Sequence, residues 1–124
     1  MMLGPHSIVL FCRDTEACRA FYEAVGFRWL RGFEGMHWFA LGAAEVMLHP
    51  SDTDPGPGAP QLYASAPDVD ALFARCRDAG LGPHHHQVDG ALVAPHTTPW
   101  GTREFDLLDP AGHRWGFVQR VQDA

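Results

Sequence analysis

The sequence contains no lysine and no asparagine, only three serines and three cysteines, and no apolar run approaching the span of a bilayer. Without lysine there is no side-chain amine for Schiff-base chemistry. The serines, Ser7, Ser51 and Ser65, sit in no G-x-S-x-G elbow, so the sequence offers little for nucleophilic serine catalysis. Apolar stretches such as Ser7–Cys12 and Ala40–Leu48 fall far short of the roughly 20 residues a membrane helix needs. The N-terminus lacks a basic region followed by an apolar core, and a cytoplasmic location is the expectation. Cys12, Cys18 and Cys76 form no C-x-x-C pair, and their odd number does not suggest a disulfide framework; they are expected to pack as reduced thiols. Gly56-Pro57-Gly58 lacks both the third glycine and the strand–helix context of a nucleotide loop, and is read as linker.

What remains is a chain of 124 residues, enough for one hydrophobic core, with nine arginines against fifteen acidic residues and a formal charge of −6. The cations are scattered, which argues against nucleic acid or an anionic membrane as partner. The balance suits a neutral or cationic small molecule. Eight histidines raise the question of a metal.

The order of elements repeats. Ser7–Cys12 is a strand candidate, Asp14 an N-cap, and Ala17, Ala20, Phe21, Ala24 and Val25 an apolar stripe on a helix stopped by Gly26. Strand candidates follow at Phe27–Phe33, Met36–Leu41 and Ala44–His49. After the Pro/Gly-rich connector Pro50–Pro60, Gln61–Ser65 is again a strand and Asp68 again a cap. Val69, Leu72, Phe73, Cys76 and Ala79 form the second stripe, closed by Gly80. Each capping aspartate precedes its glycine by 12 residues, and a duplication is the economical explanation. The second copy continues with strands expected near Gly82–Val88, Arg103–Asp109 and His113–Gln119, the last two joined by the turn Asp109-Pro110-Ala111-Gly112. The whole is read as a single domain, 1–124, with module one at 6–49, linker at 50–60 and module two at 61–119. One helix covers one face of each sheet, so the other face must meet something else. By the two-residue period, Ser7, Val9 and Phe11 are expected on that free face, opposite Ile8, Leu10 and Cys12.

The run from Asp14 through Phe21-Tyr22 to Gly26-Phe27, with Pro99-Trp100-Gly101-Thr102-Arg103-Glu104-Phe105 and Asp109-Pro110-Ala111-Gly112-His113-Arg114-Trp115-Gly116-Phe117, resembles the vicinal-oxygen-chelate superfamily (glyoxalase, bleomycin resistance protein, dioxygenase), and within it the bleomycin-resistance-like branch. The resemblance spans roughly residues 6–119. It implies an α+β fold of two βαβββ modules forming a cup-shaped mixed sheet with helices outside, commonly in a homodimer. Metal-dependent relatives place His or Glu at one cleft-facing position on each of four strands, and those positions carry over to Ser7, Met47, Leu62 and Gly116, none an ordinary ligand. His6 lies one residue from the first, which turns it to the other face. His49 and Glu45 keep the face of Met47, and Arg114 that of Gly116.

Other histidines have plainer readings. His84-His85-His86 is expected to be an exposed polar run at a strand entry, with at most His84 and His86 on one face. His96 is read as a loop residue, His113 as a turn exit and His37 as half exposed. Glu45 and Glu104 are the one conjectural carboxylate pair. Trp100, in a Pro/Gly turn, is hard to bury and suited to flank a planar ligand. Phe105 is expected in the core, which puts Arg103 on the core side with its head paired or in water, and Glu104 towards the cleft. The expected function is metal-independent binding of a small molecule, such as a planar or cationic antibiotic or metabolite, with no catalytic residues. The expected site is Ser7, Phe11, Met47, His49, Leu62, Trp100 and Glu104, without cofactor, nucleic acid or membrane. The alternatives are a divalent-metal-dependent lyase or dioxygenase of the same superfamily and a domain that binds a protein segment.

Overall fold

A computed structural model describes residues 1–121. The chain runs β1 (Ser7–Cys12), α1 (Thr15–Val25), β2 (Trp29–Phe33), β3 (Met36–Leu41), β4 (Ala44–Pro50), β5 (Gln61–Ser65), α2 (Val69–Asp78), β6 (His96–Thr97), β7 (Thr102–Leu108) and β8 (Arg114–Arg120). It divides into two compact units. The first is Met1–Gly58 together with Asp109–His113, and the second is Ala59–Leu108 with the chain from Arg114 onward. Each holds one helix and one four-stranded mixed sheet, ordered β1-β4-β3-β2 and β5-β8-β7-β6. In each sheet the first and last strands of the unit pair in parallel and the remaining neighbours antiparallel. The duplicated βαβββ order is therefore present.

Both helices begin as expected. Asp14 accepts from the Ala17 N–H at 3.0 Å and Asp68 from the Ala71 N–H at 3.1 Å, satisfying free donors of the first turns. Gly26, at φ 116°, ends α1 in the left-handed conformation that lets its N–H reach back to the last turn. The α1 stripe is rotated from the alanine-rich face. Thr15, Cys18, Phe21, Tyr22 and Val25 are buried, while Ala17 and Ala20 are exposed. A methyl group gains little from burial, and the face carrying Tyr22 buries far more area. Its ring packs edge-on against Phe21 and Phe27. Against α1 lie Leu10, Cys12, His37, Phe39, Val46 and Leu48, all buried, leaving Ser7, Val9 and Phe11 on the uncovered side as expected.

The first unit is locked by a buried carboxylate. Asp109 Oδ2 accepts from the Tyr22 hydroxyl at 2.6 Å and from His113 Nδ1–H at 2.8 Å. Its Oδ1 accepts from the N–H groups of Ala111 and His113. This holds the turn Asp109–His113 in the first unit, whereas the sequence places it inside module two, and His113 is buried rather than a plain turn exit. His37, expected half exposed, is also buried: Trp29 Nε1–H donates to its Nδ1, and its Nε2–H donates to Glu16 at 2.7 Å.

In the second unit Phe73 of α2 meets Phe105 edge-on, and Phe117 and Trp115 extend the layer. Arg103 leans along this side and binds Asp70 of α2 at 2.7 Å, the paired head expected of it. The one strand misplaced from sequence is Gly82–Val88. Only His84 bridges β7 there, opposite Asp106, before the chain doubles back in a His85–Val88 bridge. The edge beside β7 is completed by His96–Thr97, opposite Glu104 and Arg103. Pro83 and the positive φ of Gly82 break the run, and the Asp106 side chain takes the His86 N–H that a ladder would need.

Burial works to raise the Asp109 pKa, but hydrogen bonds from His113 and Tyr22 outweigh it and hold the carboxyl below its ordinary value. Because the folded value is lowered, the stabilisation is present above about pH 4 and lost as pH falls through the folded value. An Asp109→Asn amide has one accepting oxygen and sets an NH2 against the donors on the other side, so the substitution is expected to cost about 1.5–3 kcal/mol at neutral pH. In urea melts at pH 7 and in the acid range, the gap between variant and parent should close as pH drops; a gap independent of pH would contradict the assignment.

Candidate functional site

The side of the second sheet turned away from α2 carries Tyr63 and Ser65 of β5, Thr102, Glu104 and Asp106 of β7, and Gly116 and Val118 of β8. The register pairs Tyr63 with Gly116, Ser65 with Val118, Glu104 with Val118 and Asp106 with Gly116. A cavity of about 310 Å³ lies here, lined chiefly by Tyr63, Ser65, Trp100, Thr102, Glu104 and Val118. Trp100 stands at the tip of the β6–β7 turn. Thr98 and Thr102 close that turn by a 2.8 Å backbone bond and a 2.6 Å bond between their hydroxyls, and Gly101 adopts φ 90°. The ring is therefore displayed rather than buried, at 54% exposure.

Glu104 faces the cavity as the alternation with Phe105 requires, yet it is only 3% exposed. Thr102 Oγ1–H donates to its Oε2 at 2.9 Å and His85 Nε2–H to its Oε1 at 2.7 Å. The tautomer of His85 follows from its other side, where the Gln87 N–H donates to Nδ1. Far from an exposed run, the histidine segment brings His85, 2% exposed, against Glu104 and His86 against Asp106. Alternation failed as a guide because the chain turns at this point instead of continuing as a strand. The signal that was available is the Gly82-Pro83 pair, which disfavours a strand.

The expected site residues divide between the units. Trp100 and Glu104 line the cavity of the second. Ser7, Phe11, Met47 and His49 share the uncovered face of the first sheet, where the Phe11 and His49 rings meet at 5.3 Å. The His49 Nδ1–H donates to the Pro50 carbonyl at 2.7 Å, leaving Nε2 with its lone pair. Leu62 does not belong to the set. It pairs with buried Trp115 on the helix-facing side, and Tyr63 holds the position beside Gly116. A one-residue error on a strand exchanges faces.

Of the positions carried over from metal-dependent relatives, Ser7 and Met47 lie on the uncovered face of the first sheet and Gly116 on that of the second, Leu62 turns to the helix side, and none of the four residues is an ordinary ligand for a divalent cation. The space at Gly116 is taken as well, since a Cβ built there would lie 2.5 Å from the Tyr63 ring. Nor does Glu45 substitute: both its oxygens are held by Arg31, whose hydrogen bond keeps the carboxyl below its ordinary value. Glu45 is thereby committed to Arg31 and Glu104 to His85 and Thr102, so neither supports the conjectured acid/base pair. The cysteines are buried and form no disulfide, as expected, with burial pushing the Cys76 thiol up to about 11 and raising Cys12 and Cys18 also. Among the described residues no helix is long and apolar enough to cross a membrane.

Solved structures with the same fold include lactoylglutathione lyase from Agrobacterium tumefaciens, 21% identical over 94% of this chain and 93% of that one, at a TM-score of 0.71. A glyoxalase/bleomycin resistance protein/dioxygenase from Nocardioides is 16% identical over 100% and 87%, at 0.76. A bleomycin-binding protein complexed with bleomycin is 20% identical over 95% and 98%, at 0.70. No curated protein sequence matches the chain. At these identities the structures speak for the fold alone. The family model of the Glyoxalase/Bleomycin resistance protein/Dioxygenase superfamily, however, matches residues 4–117, and the chain belongs to that superfamily.

Proposed function

We propose that this protein binds a planar or cationic small molecule, such as an antibiotic or metabolite, without a metal ion mediating the contact and without altering it. The observation that carries this reading is the cavity of about 310 Å³ lined by the displayed Trp100 ring, the Tyr63 ring and Glu104. Aromatic faces stack on a flat ligand and attract a cation, and a buried carboxylate favours positive charge. The formal charge of −6 adds a long-range attraction of the same sign. Ser7, Phe11, Met47 and His49 of the first sheet belong to the same reading as a second apolar and aromatic face. It also takes the chain as a cytoplasmic homodimer, which light scattering checks for oligomeric state. The rival reading, a metal-dependent lyase or dioxygenase, has the non-ligating residues Ser7, Met47, Leu62 and Gly116 at the carried-over positions against it.

Bleomycin, with which a structural neighbour is complexed, and proflavine, a flat cation, are the first compounds to titrate. Saturable quenching of tryptophan fluorescence is expected for at least one of them in metal-free buffer, and Trp100→Ala should abolish it. Undiminished quenching in that variant, or quenching that requires a divalent ion, would sink the reading. Glu104→Gln should weaken a cation by about 10–100-fold, the equivalent of about 1.5–3 kcal/mol for a charged hydrogen bond.

The Tyr63 wall is testable by a double-mutant cycle. Gly116→Ala is expected to destabilise by about 1–2 kcal/mol through overpacking in the parent, and by less when Tyr63→Ala removes the ring. Equal costs in both backgrounds would contradict the contact.

A further inference from the structure

Away from the four strand positions, the second unit gathers imidazoles on the uncovered side of its sheet. The His85 and His86 rings stack at 4.3 Å between centroids, and the His96 ring lies 4.7 Å from that of His85. Asp106 lies beneath them. Its Oδ2 is 2.9 Å from His86 Nδ1 and accepts the His86 N–H at the same distance. Its Oδ1 has no hydrogen-bond partner, although the residue is only 3% exposed. A buried carboxylate oxygen left unpaired is costly, and it marks a place where a positive partner is missing from the inventory of side chains.

We propose that His85, His86 and Asp106 form a binding site for a divalent transition-metal ion of the zinc class. Each offers one donor atom, and the three atoms lie within 4.8 Å of one another. Two imidazoles and one carboxylate suit zinc, cobalt or nickel rather than magnesium or calcium, which prefer all-oxygen shells. His85 already has the arrangement of a metal-ligating histidine. Its Nε2–H donates to the buried Glu104 carboxylate, which fixes the tautomer and presents Nδ1 as the lone pair. That lone pair accepts a 3.1 Å bond from the Gln87 N–H, which an incoming ion would displace. His86 has 38% of its side chain exposed, which gives the ion a way in and the ring freedom to close the distance. The backbone is already fixed, because His84 and Asp106 exchange both N–H···O bonds, at 3.0 and 2.6 Å. His96, opposite Glu104 on β6, brings a further imidazole within 4.7 Å of the His85 ring. The ion binds behind Glu104, pinning the histidine segment to β7, and the small-molecule reading of the cavity does not depend on it.

The test uses the full chain without a purification tag, stripped with a chelator and dialysed. Zinc is titrated by calorimetry, and cobalt by the visible absorption that reports nitrogen and oxygen ligation. The expected result is one ion per chain, lost in His86→Ala and in Asp106→Asn and weakened about 10–100-fold in Glu104→Gln through the orientation of His85. His84→Ala, whose side chain meets the Gly82 carbonyl and is not among the three ligands, should bind as the parent does. His86 is at the surface, so its variant should keep the parent's circular dichroism and give a clear answer even if Asp106→Asn misfolds. Absence of saturable binding, parental binding by His86→Ala, or loss in His84→Ala to match that in His86→Ala would each overturn the proposal.

Discussion

Each sheet has a single helix to cover it, and the two-residue period of a strand hands every second side chain to the side that helix does not reach. The core follows from one half of that division. In the first unit Leu10, Cys12, Phe39, Val46 and Leu48 go under α1; in the second Phe105, Leu107, Trp115 and Phe117 go under α2. The other half must be spent differently, and the two units spend it differently. The first leaves Val9 and Phe11 well exposed beside Met47 and His49. The second bridges part of its own chain to the edge of β7 and carries a cavity on its uncovered side.

The duplication was legible because its signals are local. Asp14 and Asp68 cap helices by bonding three residues ahead, and Gly26 stops one by its own backbone freedom, so neither needs knowledge of distant chain. Strand faces were legible where an apolar and a polar set alternate, as in Ser7–Cys12 or Arg103-Glu104-Phe105. Gln61–Ser65 gave no such help. Leu62 and Tyr63 are both large and apolar enough for either side, and only the pairing of Leu62 with Trp115 decides. The α1 stripe shows the same limit. Alanine spacing suggested one face, but the face chosen is the one whose Tyr22 hydroxyl finds Asp109, 87 residues away.

Histidine was the hardest residue to read, and the structure shows why. An imidazole is half apolar and half donor, so its place is set by the carboxylate it meets. Of the eight histidines, His37, His85, His86 and His113 each meet one, at Glu16, Glu104, Asp106 and Asp109. Three of those carboxylates are buried, a position acidic side chains hold only when donors converge on them. Asp109 has four donors and its carboxyl is held below the ordinary value. Glu104 has two side-chain donors, one to each oxygen. Asp106 satisfies one oxygen and leaves the other unpaired. The series runs from a carboxylate committed wholly to structure to one with capacity to spare.

That gradient coincides with the place where the repeat is broken. In the first unit the chain after α1 makes two full strands, Trp29–Phe33 and Met36–Leu41, before the strand that pairs with β1. In the second unit the corresponding edge is shared between His84, opposite Asp106, and His96–Thr97, opposite Glu104 and Arg103. Residues 85–95 leave the edge between those two points of attachment and must return to it. An excursion anchored at both ends has little choice of path, and this one turns His85 and His86 onto the uncovered side of the sheet. It thereby supplies the second partner of Glu104 and, from His86, a side-chain partner for Asp106. A regular strand in its place would have bonded the edge completely, leaving Glu104 with Thr102 alone and Asp106 without the His86 donors. The departure from the duplicated pattern is therefore what makes an acidic, aromatic-walled cavity affordable in this unit.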